Sequence, residues 1–248
     1  MRILAVSGKG GVGKTMLAAL IIRKMVRDGE KNILAIDADP DFNLPGMLGV
    51  SVKSTVGDIK EELLTKQSQL PPGYSKDKWL EYRVFEIIAE TPDFDILVMG
   101  RPEGPGCYCS VNNILRWIID SMTKSYDHVI IDAEAGLEHI SRKTTLGVDD
   151  MIIVTDMSQH GFDTAERISE LAGELDARFK HLYLVVNRVS AGHEKAIIDR
   201  AKSFGPEFLG TIPYDVHIEE YLFAGKSLLD LEECNATKAV ETIMDKLS

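Results

Sequence analysis

Eight consecutive residues, Gly8-Lys9-Gly10-Gly11-Val12-Gly13-Lys14-Thr15, have the types and spacing that cradle phosphate. They fit G-x-x-x-x-G-K-[ST], in which glycines let backbone N–H groups converge on phosphate oxygens, the lysine reaches the β and γ phosphates, and the hydroxyl ligates Mg²⁺. The predicted binding stretch therefore runs from Gly8 through Thr15 to Met16, with Lys14 on the phosphates and Thr15 on the metal. It lies between an apolar run at 3–7 and a helical pattern at 15–28, so the helix N-terminus adds positive potential to the same spot. Lys9 departs from a plain loop of this kind by adding a second cation on the γ-phosphate side.

Carboxylates follow at the ends of two further apolar runs. Asp37-Ala38-Asp39-Pro40-Asp41 closes one, which puts acids at the carboxyl edge of a sheet, where open α/β folds bind ligands. There they orient an attacking water or hold a Mg²⁺ water, the needs of phosphoryl transfer beyond charge neutralisation. Asp37 is the candidate Mg²⁺ support; a turn capped by aspartates is the plainer alternative, since Asp-Pro forms turns. The run 128–132 ends in Asp132, a second candidate for the Mg²⁺ shell, and Glu134, Glu138 and His139 follow it closely.

The chain has three cysteines, Cys107, Cys109 and Cys234, too few for a disulfide framework. Cys107 and Cys109 sit on a Gly/Pro turn opening into a helical pattern, where a helix N-terminus favours thiolates and a turn can aim both sulfurs one way. One such pair is half of a tetrahedral site, and a two-fold axis through it would gather four thiolates, a soft set suited to Zn²⁺, Cu(I), Ni²⁺ or an iron–sulfur cluster. Two small buried residues with no ligand are the alternative. Cys234 shows no partner motif and reads as structural.

The elements that must position these groups are legible as Val/Ile/Leu runs at 3–7, 33–37, 96–100, 128–132, 151–155, 183–187 and 208–212. Helical patterns at 15–28, 111–125, 164–179, 194–204 and 237–247 alternate with them. Such alternation predicts a doubly wound α/β fold, a mostly parallel sheet with helices on both faces. The polar stretch 66–78, with Pro71, Pro72 and Gly73, reads as a surface loop inside one domain spanning 1–248. A balance of 39 acidic against 28 basic residues, net charge -11, disfavours nucleic acid and anionic membranes as partners. No apolar run approaches the ~20 residues that span a bilayer, which points to the cytoplasm.

The K-G-G-V-G-K-T run of Lys9 to Thr15 resembles the deviant Walker A motif of the MinD, ParA and nitrogenase iron protein superfamily of P-loop NTPases. That resemblance implies an ATPase in which Lys9 reaches across a two-fold axis to the partner's nucleotide, coupling ATP binding to homodimer formation. It also implies that Asp39 positions the nucleophilic water and that Asn187, Arg188, Pro213, Tyr214 and Asp215 lie where the superfamily contacts adenine. The stretches Met99 to Cys109 and Asp132 to His139 closely resemble the CooC family, ATPases implicated in nickel insertion into carbon monoxide dehydrogenase. Within that family the C-x-C binds metal at the dimer interface, so Cys107 and Cys109 are expected to hold Ni²⁺ or Zn²⁺ and the client to be a nickel enzyme such as carbon monoxide dehydrogenase. The alternatives are an iron–sulfur electron-transfer ATPase, disfavoured because 132–139 contains no cysteine, and a MinD/ParA-like switch without metal cargo.

Overall fold

The computed structural model describes residues 1–66, 76–100, 125–133, 148–174 and 179–247. Among them, eight strands form a single sheet: β1 (Arg2–Gly8), β2 (Ile33–Ala38), β3 (Ala89–Glu90), β4 (Asp95–Val98), β5 (His128–Ala133), β6 (Asp150–Thr155), β7 (His181–Val189) and β8 (Glu207–Pro213). Their spatial order is β3-β4-β2-β5-β1-β6-β7-β8, and every pairing is parallel except that of β3 with β4. The helices are α1 (Lys14–Arg27), α2 (Leu44–Leu48), α3 (Val56–Lys66), α4 (Lys76–Ile87), α5 (Gln159–Glu174), α6 (Glu194–Ala201), α7 (Val216–Phe223) and α8 (Asn235–Leu247).

Side chains alternate across each strand, and the alternation distributes the core. In β1, Leu4 and Val6 face the layer of α1 and α8, packing with Leu17, Ile21, Val240 and Ile243. Ile3 and Ala5 face the other side, where Val56, Ile59 and Val84 of α3 and α4 cover the β2 and β5 half. Phe162, Ile168 and Ile197 of α5 and α6 cover β6 and β7 on that same side. Because both faces are covered, the central strands read as continuous apolar runs.

The mostly parallel, doubly wound sheet expected from the sequence is the sheet found. Several boundaries differ. The stretch 66–78 is not wholly loop, because α3 runs to Lys66 and α4 begins at Lys76. Helix α5 starts at Gln159 rather than Thr164, since Phe162 already sits fully buried against the sheet in its first turn. The expected helix at 111–125 falls almost entirely outside the described residues. Helix α8 buries Val240, Ile243 and Leu247 against the core, so its apolar face is committed to the fold. No helix among the described residues is long and apolar enough to cross a membrane.

Candidate functional site

The glycines of the 8–15 loop are placed by close approach. Gly8 ends β1 at φ 153°, and a Cβ there would lie 2.2 Å from the Val154 carbonyl oxygen on neighbouring β6. Gly13 caps α1 at φ 94°, a left-handed conformation that favours glycine. No acidic residue occupies the first turn of α1, so its N-terminal N–H groups keep their attraction for an anion. Lys14 is buried; its Nζ donates to the Lys9 carbonyl oxygen at 3.5 Å and lies 3.9 Å from Asp39 Oδ2. The Lys9 side chain is exposed at the loop's outer edge.

Three acids converge behind that loop, carried by adjacent strands. Asp37 and Asp132 are register partners in the parallel β2–β5 pair, and both are fully buried. The Asp37 carboxylate accepts from the backbone N–H of Asp39 at 3.1 Å and of Leu44 at 2.9 Å, which folds the turn after β2. Asp39 repeats the device one step on, accepting from Asp41 N at 3.0 Å, and so keeps its second oxygen toward Lys14. Burial first, then the nearby charge of Asp132, pushes the Asp37 carboxyl up to about 7. Burial also raises Asp132 to about 6, against the lowering effects of the Thr15 hydroxyl and the Lys14 charge. Thr15 is close enough to favour the ionised form, yet neither Asp132 oxygen accepts a hydrogen bond of good geometry among the described residues.

A dry carboxylate with two orphaned oxygens beside a threonine hydroxyl is the donor set of a hard divalent cation. No group of three or more His, Cys, Asp or Glu side chains forms a closed metal site among the described residues. The two observations agree, because Mg²⁺ in phosphate sites keeps waters and phosphate oxygens and takes only one or two protein carboxylates.

The loop opens into a cleft of about 290 Å³ lined by Gly10, Gly11, Gly13, Lys14, Thr15 and Met16 at one end and by Asn187, Arg188, Pro213, Tyr214 and Asp215 at the other. Thus the residues expected to contact a base border the same cavity as the phosphate loop. Their side chains are also tied elsewhere. Asn187 is buried and donates through Nδ2 to the Val12 carbonyl at 2.8 Å. Asp215 caps α7, accepting from His217 N at 3.1 Å, and accepts from Ala236 N at 3.1 Å. Tyr214 donates to Glu219 at 2.6 Å across the cleft rim.

Cys107 and Cys109, with Glu134, Glu138 and His139, lie outside the described residues. Cys234 is buried and free, and its backbone N–H donates to Thr237 Oγ1 at 2.9 Å. Asp41, one of the acids expected at the sheet edge, also lines the cleft, whereas sequence reading missed Asn43 and Met47, and Ile218, Glu219 and Leu222 of α7, which complete its wall. The signal for α7 was present: Asp215 is an N-cap residue type, and Ile218, Tyr221 and Leu222 follow at helical spacing.

Residues 3–228 match the family described as CobQ/CobB/MinD/ParA nucleotide binding domain. The chain is 51% identical over 248 residues to an uncharacterized ATP-binding protein of Methanocaldococcus jannaschii, covering 99% of this chain and 98% of that one. It is 31% identical to the carbon monoxide dehydrogenase accessory protein CooC of Rhodospirillum rubrum, covering 95% and 92% respectively. Among solved structures it is similar to the septum site-determining protein MinD complexed with Mg-ADP from Pyrococcus horikoshii OT3, with TM-score 0.73, 23% identity, and coverage of 100% and 96%.

Proposed function

The chain belongs to the CobQ/CobB/MinD/ParA nucleotide-binding family and is a P-loop ATPase; on that premise we propose that it is a homodimeric Mg-ATP-dependent carrier that loads a metal ion into a nickel enzyme. In this reading residues 1–248 form one ATPase domain, Cys107 and Cys109 hold Ni²⁺ or Zn²⁺ as cargo, and the client is carbon monoxide dehydrogenase or a related enzyme. The observation that carries it is that the loop, Asp39 and the residues expected at the base line one cleft, with Asp37 and Asp132 buried as register partners in the sheet, on a chain similar over nearly its whole length to CooC.

The residues divide the chemistry as follows. Lys14 Nζ, now between the Lys9 carbonyl and Asp39, turns to the β and γ phosphate oxygens when ATP enters. Thr15 and Asp132 would hold Mg²⁺, with Asp37 in support, and the bound cation would supply neutralisation of the negative charge on the phosphates. Asp39 accepts a hydrogen bond from the attacking water, whose oxygen bonds to the γ phosphorus as the bond to the β-bridging oxygen breaks. Lys9, exposed at the loop edge, reaches the nucleotide of the second copy and so links dimer closure to ATP. Asn187, Arg188, Pro213, Tyr214 and Asp215 border the adenine. Hydrolysis reopens the dimer and releases the metal.

Titration of Ni²⁺ and Zn²⁺ into reduced, chelator-treated protein with ADP or a non-hydrolysable ATP analogue, followed by light scattering, tests the carrier reading. One metal per dimer is expected, lost in Cys107→Ala and Cys109→Ala while ATP binding persists. Equal metal binding by wild type and variants would overturn it. A MinD-like switch without cargo is then the better account, favoured by the fold likeness to MinD, although the apolar face of α8 is buried in the core rather than offered to a membrane.

A further inference from the structure

Strand β7 breaks its own alternation at Arg188. Upstream, Tyr183 and Val185 face the α1 layer while Leu184 and Val186 face α5 and α6. An uninterrupted strand would return Val189 to the α1 side, yet Val189 packs with Leu184 and Val186. The β7–β8 register shifts between Val186 and Val189, and Arg188 stands at φ 55°, left-handed for a long side chain. One extra residue inserted in this way re-aims neighbouring side chains, and such irregularities gather beside functional sites.

Asn187, which still follows the alternation, and Arg188, which the irregularity re-aims, meet the same loop. Asn187 Nδ2 donates to the Val12 carbonyl at 2.8 Å, and Arg188 Nη1 donates to the Gly11 carbonyl at 3.2 Å. The Asn187 Oδ1 accepts from Arg188 N at 2.8 Å, which fixes the amide's orientation. Across a trans peptide, the carbonyl of one residue and the N–H of the next point in opposite directions. Drawing the Gly11 and Val12 carbonyls toward β7 therefore turns the Val12 and Gly13 N–H groups away from it. Val12 N and Lys14 Nζ both aim at the Lys9 carbonyl oxygen, each at 3.5 Å. Two donors sharing one long contact are donors a phosphate oxygen can take over.

We propose that Asn187 and Arg188 act as positioning residues of the phosphate cradle, a two-pronged clamp from the irregular end of β7 that holds the 11–13 peptides with their N–H groups inward. The clamp rests on the reading of 8–15 as a phosphate loop and is distinct from contact with the base. It makes the loop's shape independent of bound nucleotide, so donors need little reorganisation when phosphate arrives.

The test uses Arg188→Gly, whose backbone accepts the left-handed conformation, Arg188→Gln, which keeps an N–H donor without the charge, and Asn187→Ala. Binding of Mg-ATP and of Mg-tripolyphosphate, which has no base, is measured beside hydrogen exchange of the 10–13 amides in nucleotide-free protein. Arg188→Gly is expected to weaken both ligands by the same factor, roughly tenfold for one charge-assisted hydrogen bond. Arg188→Gln should recover part of that loss, and loop exchange should quicken in Arg188→Gly and Asn187→Ala. Loss of ATP binding with tripolyphosphate unaffected would make Arg188 a base contact and overturn the clamp. Unchanged loop exchange would overturn it as well, leaving a charge effect. If wild type binds neither ligand, the nucleotide reading fails, and exchange of the loop amides still decides whether the clamp exists.

Discussion

Lys14 Nζ lies 3.9 Å from Asp39 Oδ2, so the cation of the phosphate loop and the acid assigned to the water face each other across the space a γ phosphate would enter. Nucleotide binding must separate them. Asp39→Ala is expected to tighten ATP binding severalfold, by freeing Lys14 and removing like charge beside the γ phosphate, and to lower phosphate release by about 10²-fold or more. Stopped-flow binding of a fluorescent ATP analogue together with a steady-state phosphate assay separates the two effects. Hydrolysis within a factor of two of wild type would remove Asp39 from the mechanism.

Gly13 and Asn187 form a second pair with a measurable coupling. A Cβ on Gly13 would lie 2.2 Å from Asn187 Nδ2, at a backbone φ of 94°. Gly13→Ala should therefore destabilise the protein by about 1–3 kcal/mol and abolish nucleotide binding. Adding Asn187→Ala should restore part of the stability by removing the clash, though not the strained φ. Denaturant unfolding of both single variants and the double variant gives the interaction energy; a value near zero would contradict the geometry.

The buried acids set a pH dependence whose sign follows from their raised values. Asp37 at about 7 and Asp132 at about 6 hold protons more tightly folded than unfolded. Their contribution to the stability of nucleotide-free protein is thus fully present below about pH 4, the ordinary range of the unfolded carboxyl, and lost as pH rises through 6 and 7. In the proposed site Mg²⁺ takes both acids ionised, so Mg-ADP binding should release protons near pH 6.5 and almost none near pH 8.5. Calorimetry in buffers of different ionisation enthalpy reads this directly. Release should shrink in Asp132→Asn, and the absence of any buffer dependence would exclude these acids as the cation's support.

Away from the cleft, Arg23 is buried to 2% exposure and gives both Nε, at 3.0 Å, and Nη2 to the Leu231 carbonyl. It ties α1 to the segment joining α7 and α8. Arg23→Ala leaves that carbonyl without its donor and opens space in the core, an expected loss of roughly 2–4 kcal/mol in urea unfolding. Since Arg23 stands at the far end of α1 from the phosphate loop, ATP affinity should change less than threefold at temperatures where the variant is folded.

Much of the molecule was legible in its residues. Apolar runs too continuous for a half-exposed sheet announced strands buried on both faces, and the phosphate loop announced its own position between the first strand and helix. Asp37, Asp39 and Asp132 were legible too, because strands that end in acids in a parallel sheet deliver them to one edge. Helices α3 and α4 were not, since their apolar positions are diluted by charged residues. What packs them is the sheet, and a sheet surface is not a local property of sequence.

Glycine spacing, lysines and strand-ending carboxylates determined that this chain cradles phosphate, because those groups lie next to one another along the chain and work through local backbone geometry. Only the tertiary structure decided that Asp37 and Asp132 stand as register partners with raised pKa values, since desolvation depends on what covers a strand. The same holds for Asn187 and Arg188. Their hold on Val12 and Gly11 spans more than 170 residues of chain, and the Arg188 half of it arises from one irregular residue in β7, which no periodicity within that strand announces.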